Sequence, residues 1–139
     1  MRQKQEIVAV STQGAGAYEI TRDVVRFTEN SGITTGVLTL FIRHTSASLA
    51  IQENADPDVQ ADLQDSLARL APEDMALYRH TCEGPDDMPA HIKSALTDVS
   101  LSIPVADGRP VLGTWQGIYV LEHRRVGHRR QVVCHLMGT

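Results

Sequence analysis

The side chains of this sequence best suited to chemistry are six histidines, His44, His80, His91, His123, His128 and His135, and a scatter of carboxylates. His80 and His91 flank a stretch that holds Glu83, Asp86 and Asp87. His44 follows an apolar run and precedes Thr45, Ser46 and Ser48. Neutral imidazoles beside carboxylates are the usual ligand set for Zn²⁺ or a similar divalent ion. The spacing is not HExxH or another compact metal signature, so a site made from His44, His80 and His91 needs the fold to assemble it. The competing reading makes each one a surface or hydrogen-bonded histidine. Asp87 and His91 stand four residues apart on an expected helix and share a face, so Asp87 can orient the His91 ring or cap the helix.

Other polar groups sit where apolar runs end. Glu53 and Asn54 close the strand that follows HTSASLAIQ, a rigid frame for functional groups; helix-start chemistry is the alternative. Gln116 stands beside Trp115 at a strand junction, and a lone Trp is expected in the core. Glu122 ends an apolar strand before Arg124 and Arg125, as a ligand, a general base or an ion-pair partner of those arginines. The arginines of HRRVGHRR can bind phosphate in bidentate fashion or lie solvated at a hairpin. Cys82 lacks an identifiable positive partner and is a weak nucleophile.

The elements that must position these groups follow from periodicity and punctuation. Residues 5–12 alternate and are expected to form a strand. Gly14 and Gly16 mark a turn, and Tyr18–Ile20 a short partner strand. Thr21 is expected to cap a helix that stops at Gly32. Residues 35–43 and Ser48–Gln52 are expected as strands around a polar break. Asp56–Pro57 starts a helix that runs to about Leu70, and Asp86 or Asp87 caps a short one over MPAHIKSAL. Residues 99–105, 110–113, 117–123 and 129–137 are expected strands, with Asp107–Gly108 a turn and the last strands an antiparallel meander. Strand runs interspersed with three helices favour an α+β fold over a doubly wound sheet.

Composition bounds the rest. A length of 139 residues suits one domain, 1–139. The hydrophobic fraction of 42% and charged fraction of 22% are ordinary globular values, and with 4% aromatics the core must be aliphatic. A net charge of −4 argues against a general nucleic-acid binder. Two distant cysteines make no disulfide framework, no apolar run is long enough to span a membrane, and MRQKQEIVAV is no signal peptide; a cytoplasmic location is expected. There is no P-loop, no GxGxxG after a strand and no GxSxG.

Three blocks carry a resemblance: RHTSASLAIQENADPDVQADL, YRHTCEGPDDMPAHIKSALTDVSLSIPV and LGTWQGIYVLEHRR. Through them the chain resembles, over nearly its whole length, the YjbQ-like family of small bacterial and archaeal proteins, often labelled secondary thiamine-phosphate synthase enzymes. The resemblance implies an α+β fold on an antiparallel β-sandwich-like core with about three helices, assembled as a homotrimer. It implies a polar site with His44, His80 and His91 as metal ligands, zinc first, with magnesium or manganese as alternatives. Glu53, Asp87 and Glu122 are then the catalytic candidates, and Ser46, Asn54, Gln116 and Arg124 the substrate-binding ones. The implied activity is metal-assisted chemistry on a small phosphorylated molecule, either a thiamine-phosphate synthase-like transfer or a hydrolysis. The alternative is a non-enzymatic trimer that binds a metal or small molecule.

Overall fold

Apolar side chains on every second residue divide the strands into an inner and an outer face, and the inner faces decide the architecture. The computed structural model describes residues 1–139. Eight strands run β1 (Arg2–Ser11), β2 (Gly16–Glu19), β3 (Gly36–Ile42), β4 (Ala47–Glu53), β5 (Ser100–Ala106), β6 (Arg109–Pro110), β7 (Gln116–Glu122) and β8 (Arg129–Gly138). Three α-helices are interspersed: α1 (Thr21–Ser31), α2 (Pro57–Leu70) and α3 (Asp87–Leu96). A 3-10 turn spans Met75–Leu77.

The strands form two antiparallel sheets, one ordered β1-β8-β3-β5-β6 and the other β2-β7-β4. Leu38, Leu40 and Ile42 of β3 and Val132, Cys134 and Leu136 of β8 meet Leu49 of β4 and Ile118 and Val120 of β7 in one core. Helix α1 adds Val24 and Phe27 to the same cluster. Every residue of β7 from Gly117 to Glu122 is buried, because its outer face is covered as well as its inner one. No helix is long and apolar enough to cross a membrane.

The α+β architecture with antiparallel sheets and three helices is as the sequence indicates. The meander is not: β5 pairs with β3, and β7 and β8 lie in different sheets. Alternation identifies strands but carries no information about which of them pair across long loops. Of residues 110–113 only Pro110 is in a strand. Trp115 is 62% exposed, not in the core, because it sits outside the end of β7.

Punctuation fared unevenly. Gly32 ends α1 in the left-handed conformation at φ 74°, which glycine adopts without strain. Asp56 caps α2 by accepting from the Asp58 N–H, with Pro57 in the first turn. Thr21 does not cap α1; the helix starts at Thr21 itself. Its hydroxyl donates to Glu19 and accepts from the Ile118 N–H, tying α1 to β7. Neither Asp86 nor Asp87 caps α3 through its side chain, because other partners claim both carboxylates.

Candidate metal centre

The strand pairing sorts the candidate residues into two ends. Strands β4 and β7 run antiparallel, with Ala47 opposite Glu122 and Glu53 opposite Gln116. Six residue steps separate these pairs, roughly 20 Å on an extended strand. Glu53, Asn54 and Gln116 therefore stand at one end of the small sheet, and the histidines gather at the other. Each of the three has a local task. Glu53 accepts from the Ala55 and Asp56 N–H groups ahead of α2. Asn54 donates to Glu19, and Gln116 accepts from the Gly113 N–H. Within one chain none of them joins the histidine cluster.

At the other end, α3 opens with Asp87 and carries His91 one turn on. The preceding segment folds back and lays His80 against both. His80 Nε2 lies 2.6 Å from Asp87 Oδ2, and His91 Nε2 lies 3.1 Å from the same oxygen. The three ligand atoms lie within 4.8 Å of one another. Asp87 is buried, while the His80 and His91 side chains are 44% and 32% exposed, so the cluster opens to solvent on its histidine side.

His91 Nδ1 lies 2.8 Å from the Thr45 carbonyl oxygen. A carbonyl only accepts, so Nδ1 carries the hydrogen. In the neutral ring Nε2 is then a bare lone pair, facing a carboxylate oxygen that is also an acceptor. Two acceptors at 3.1 Å need a cation between them, either a proton on the ring or a metal ion. Metal-ligating histidines donate their second ring N–H to a carboxylate, a backbone carbonyl or water, and the bond from His91 to the Thr45 carbonyl is of that kind.

Arg124 holds the acid in place. Its guanidinium donates to Asp87 Oδ1 at 2.7 Å, to Asp86 Oδ2 at 2.9 Å and to the Glu83 carbonyl at 3.1 Å. Asp86 also accepts from the Arg125 N–H, and Arg125 forms an ion pair with Glu73. Burial pushes the Asp87 carboxyl up, but the His80 hydrogen bond and the nearby His91 and Arg124 charges outweigh it and leave Asp87 below the usual range. Burial likewise raises Asp86, and its bonds to Arg124 and the Arg125 N–H hold it low. Both are carboxylates at neutral pH. Arg124, expected to bind substrate, is thus committed to Asp86 and Asp87.

Glu122 and Arg130 form a second ionic group nearby. Both occupy inner positions of their strands, β7 and β8, so the two sheets press them together. Arg130 Nε donates to Glu122 Oε2 at 2.7 Å and Nη2 to Oε1 at 2.5 Å. Thr12 and the Arg124 N–H also donate to the carboxylate. Burial raises the Glu122 carboxyl, and these partners pull it below its ordinary value. A fully buried carboxylate with both oxygens engaged has no means of taking a substrate proton, which leaves Glu122 a structural role. Its ionic partner is Arg130, not Arg124 or Arg125.

His44 stands beside this pair and outside the cluster. Its Nε2 accepts from the Gln131 N–H, and its Nδ1 lies 3.4 Å from Arg130 Nη1. Burial and then the Arg130 charge lower its pKa. Ser46 accepts from Arg130 Nη2. His44, Thr45 and Ser46 line a groove of about 610 Å³ with Arg43 and Phe41. It abuts the cluster through Thr45, whose carbonyl fixes His91. Glu83, to which the sequence assigns no role, also comes near: its Oε2 lies 3.9 Å from His80 Nε2, and it is 65% exposed. Its place between His80 and Asp87 in sequence was the available signal.

Two antiparallel sheets with three interspersed helices define an α+β protein. The sequence model described as "UPF0047 protein YjbQ-like" matches residues 5–139. The UPF0047 protein sll1880 of Synechocystis is 53% identical over 99% of this chain and 93% of its own. The UPF0047 protein YjbQ of Salmonella typhimurium is 43% identical over 96% of this chain and 97% of its own. The crystal structure of an uncharacterised YjbQ/UPF0047 protein of Clostridium acetobutylicum superposes with a TM-score of 0.86 at 34% identity, covering 95% of this chain and 99% of that one. The chain belongs to the UPF0047 YjbQ-like family.

Proposed function

We propose that this protein is a metal-dependent enzyme acting on a small phosphorylated molecule, with the metal held by His80, Asp87 and His91. The observation that carries the reading is the His91 ring, whose Nδ1 is tied to a carbonyl while Nε2 faces a carboxylate oxygen. Two imidazoles and one carboxylate, with an open histidine side, fit a zinc site that keeps a position for water or substrate; magnesium and manganese are the alternatives. A divalent ion held by these residues would supply Lewis-acid stabilisation of a phosphoryl group and lower the pKa of a bound water.

The chain's own groups supply the rest. Arg124 keeps Asp87 ionised and oriented. The groove beside Thr45 receives the substrate, with Arg43 and the Ser46 hydroxyl at its phosphate. Arg43 and Arg130 both line this groove and supply its positive charge. Glu83 is the carboxylate placed to act as general base. A thiamine-phosphate synthase-like transfer is the transferase version of this chemistry, and phosphate-ester hydrolysis is the other.

Self-association is part of the same reading. Ile7, Val37, Phe41 and Met137 are 44% to 51% exposed on the outer face of the large sheet. The register aligns Ile7 with Val133 and Phe41, and Met137 with Val37. A patch of this kind marks an interface, and we assign it to the contacts of a homotrimer. The free thiols of Cys82 and Cys134 agree with a cytoplasmic location.

The test is turnover of p-nitrophenyl phosphate by zinc-loaded protein. Glu83→Gln is expected to lower kcat by about 10²-fold or more with metal content unchanged. Wild-type rates in that variant would remove the base role. Bound metal without turnover of any phosphate ester would favour the binding trimer.

A further inference from the structure

Helix α2 rests on the outer face of β4 and β7 and has no fully buried residue. Beneath it lies a cavity of about 150 Å³ whose lining includes neither His80 nor His91. Leu63, Leu67, Gln60 and Gln64 form the helical wall, and Ala50 and Leu121 the floor. This wall is apolar except for its carboxamides. The Nε2 atoms of Gln60 and Gln64 are both buried, and no protein group lies within hydrogen-bond reach of either. Buried donors are almost always partnered, so two such groups at one cavity indicate something that partners them.

Two further polar groups of the lining already have partners. Gln52 Oε1 accepts from the Glu53 N–H. The Thr97 hydroxyl bonds to the Lys93 carbonyl at 2.7 Å and to Ser48 at 2.6 Å. No lining residue is ionised, so a charged guest loses its hydration without a counter-charge, which is prohibitive. The space equals about five water volumes at ~30 Å³ each.

We propose that this cavity is a second ligand site, distinct from the metal centre, for a small uncharged molecule with a short apolar body and an amide or carbonyl head. The Gln60 and Gln64 carboxamides hold the head, and Leu67 and Leu121 pack against the body, with Leu63 at the exposed rim. An amide head both donates and accepts, so it satisfies either carboxamide whichever way that group is turned.

The experiment titrates the full chain with butyramide and follows the side-chain amides of Gln60 and Gln64 in proton–nitrogen correlation spectra. The expected result is a saturable shift of both amides, about tenfold weaker or more with butyrate, and absent in Leu67→Trp, which fills the space. The double variant Gln60→Leu, Gln64→Leu places apolar groups against an apolar wall and is expected to stay folded. It should bind butyramide about tenfold more weakly or worse, read on the backbone amides of Ala50 and Leu121. Shifts that rise linearly without saturating, that match between butyramide and butyrate, or that persist in Leu67→Trp would overturn the site. Water alone would then partner the two carboxamides.

Discussion

Two ionic groups lie near each other at one end of this molecule, each centred on a buried carboxylate and fit for opposite tasks. Glu122 and Arg130 are sealed between the sheets, and every oxygen of the carboxylate has a donor. His80, Asp87 and His91 lie at the surface, and the His91 lone pair faces an acceptor. A closed group is fully satisfied and does nothing further. An open one is left incomplete and has a place for a cation. Each holds a buried carboxylate; the hydrogen-bond count and the exposure of its partners set the two apart.

Breaking the closed group should have the largest effect. Glu122→Gln leaves Arg130 buried without its counter-charge and is expected to cost about 3–5 kcal/mol, measured by urea unfolding. A loss below about 1 kcal/mol would show that the pair is not structural.

His123 gives the next effect. It is buried, its Nε2 pairs with Ser48, and burial lowers its pKa to about 4 from 6.5. Between those values the unfolded chain binds the extra proton, so stability rises with pH there and is lost as pH falls from 6.5 toward about 4. The loss should approach about 3 kcal/mol. Urea unfolding across that range should show the slope in wild type and a weaker one in His123→Gln. Equal slopes would assign the acid sensitivity to the carboxylates instead.

Arg124→Ala sharpens the open side of the comparison, because it leaves the ligands but frees Asp87 to turn. Metal affinity is expected to fall about 10–100-fold, measured by competition with a chromogenic chelator. Smallest of all is Glu53→Gln. Glu53 lies at the far end of β4, and stability should move by no more than about 0.5 kcal/mol with metal content unchanged. A loss of metal there would mean that a neighbouring subunit brings Glu53 to the cluster.

Local features of this chain were legible from its sequence. The i, i+4 spacing of Asp87 and His91, the Asp56–Pro57 start and the Gly32 stop are all short-range, and short-range chemistry determines them. Glu122 was placed at a strand end correctly but given the wrong partner. Arg130 reaches it only because β7 and β8 face each other from different sheets, and residue types do not encode that pairing. The same limit grouped Glu53, Asn54 and Gln116 with the histidines, although the register of β4 on β7 holds them at the opposite end. The sequence offers Asp86 or Asp87 as the cap of α3 because caps are local; Arg124, 37 residues from Asp87, engages both carboxylates instead.

The most direct measurement is the metal content of purified protein, wild type beside His91→Ala and His44→Ala. The expected result is about one equivalent per chain in wild type, lost in His91→Ala and retained in His44→Ala. Wild-type protein that takes up no zinc, manganese or magnesium would contradict the metal centre. Metal lost in His44→Ala but kept in His91→Ala would place it beside Arg130 instead.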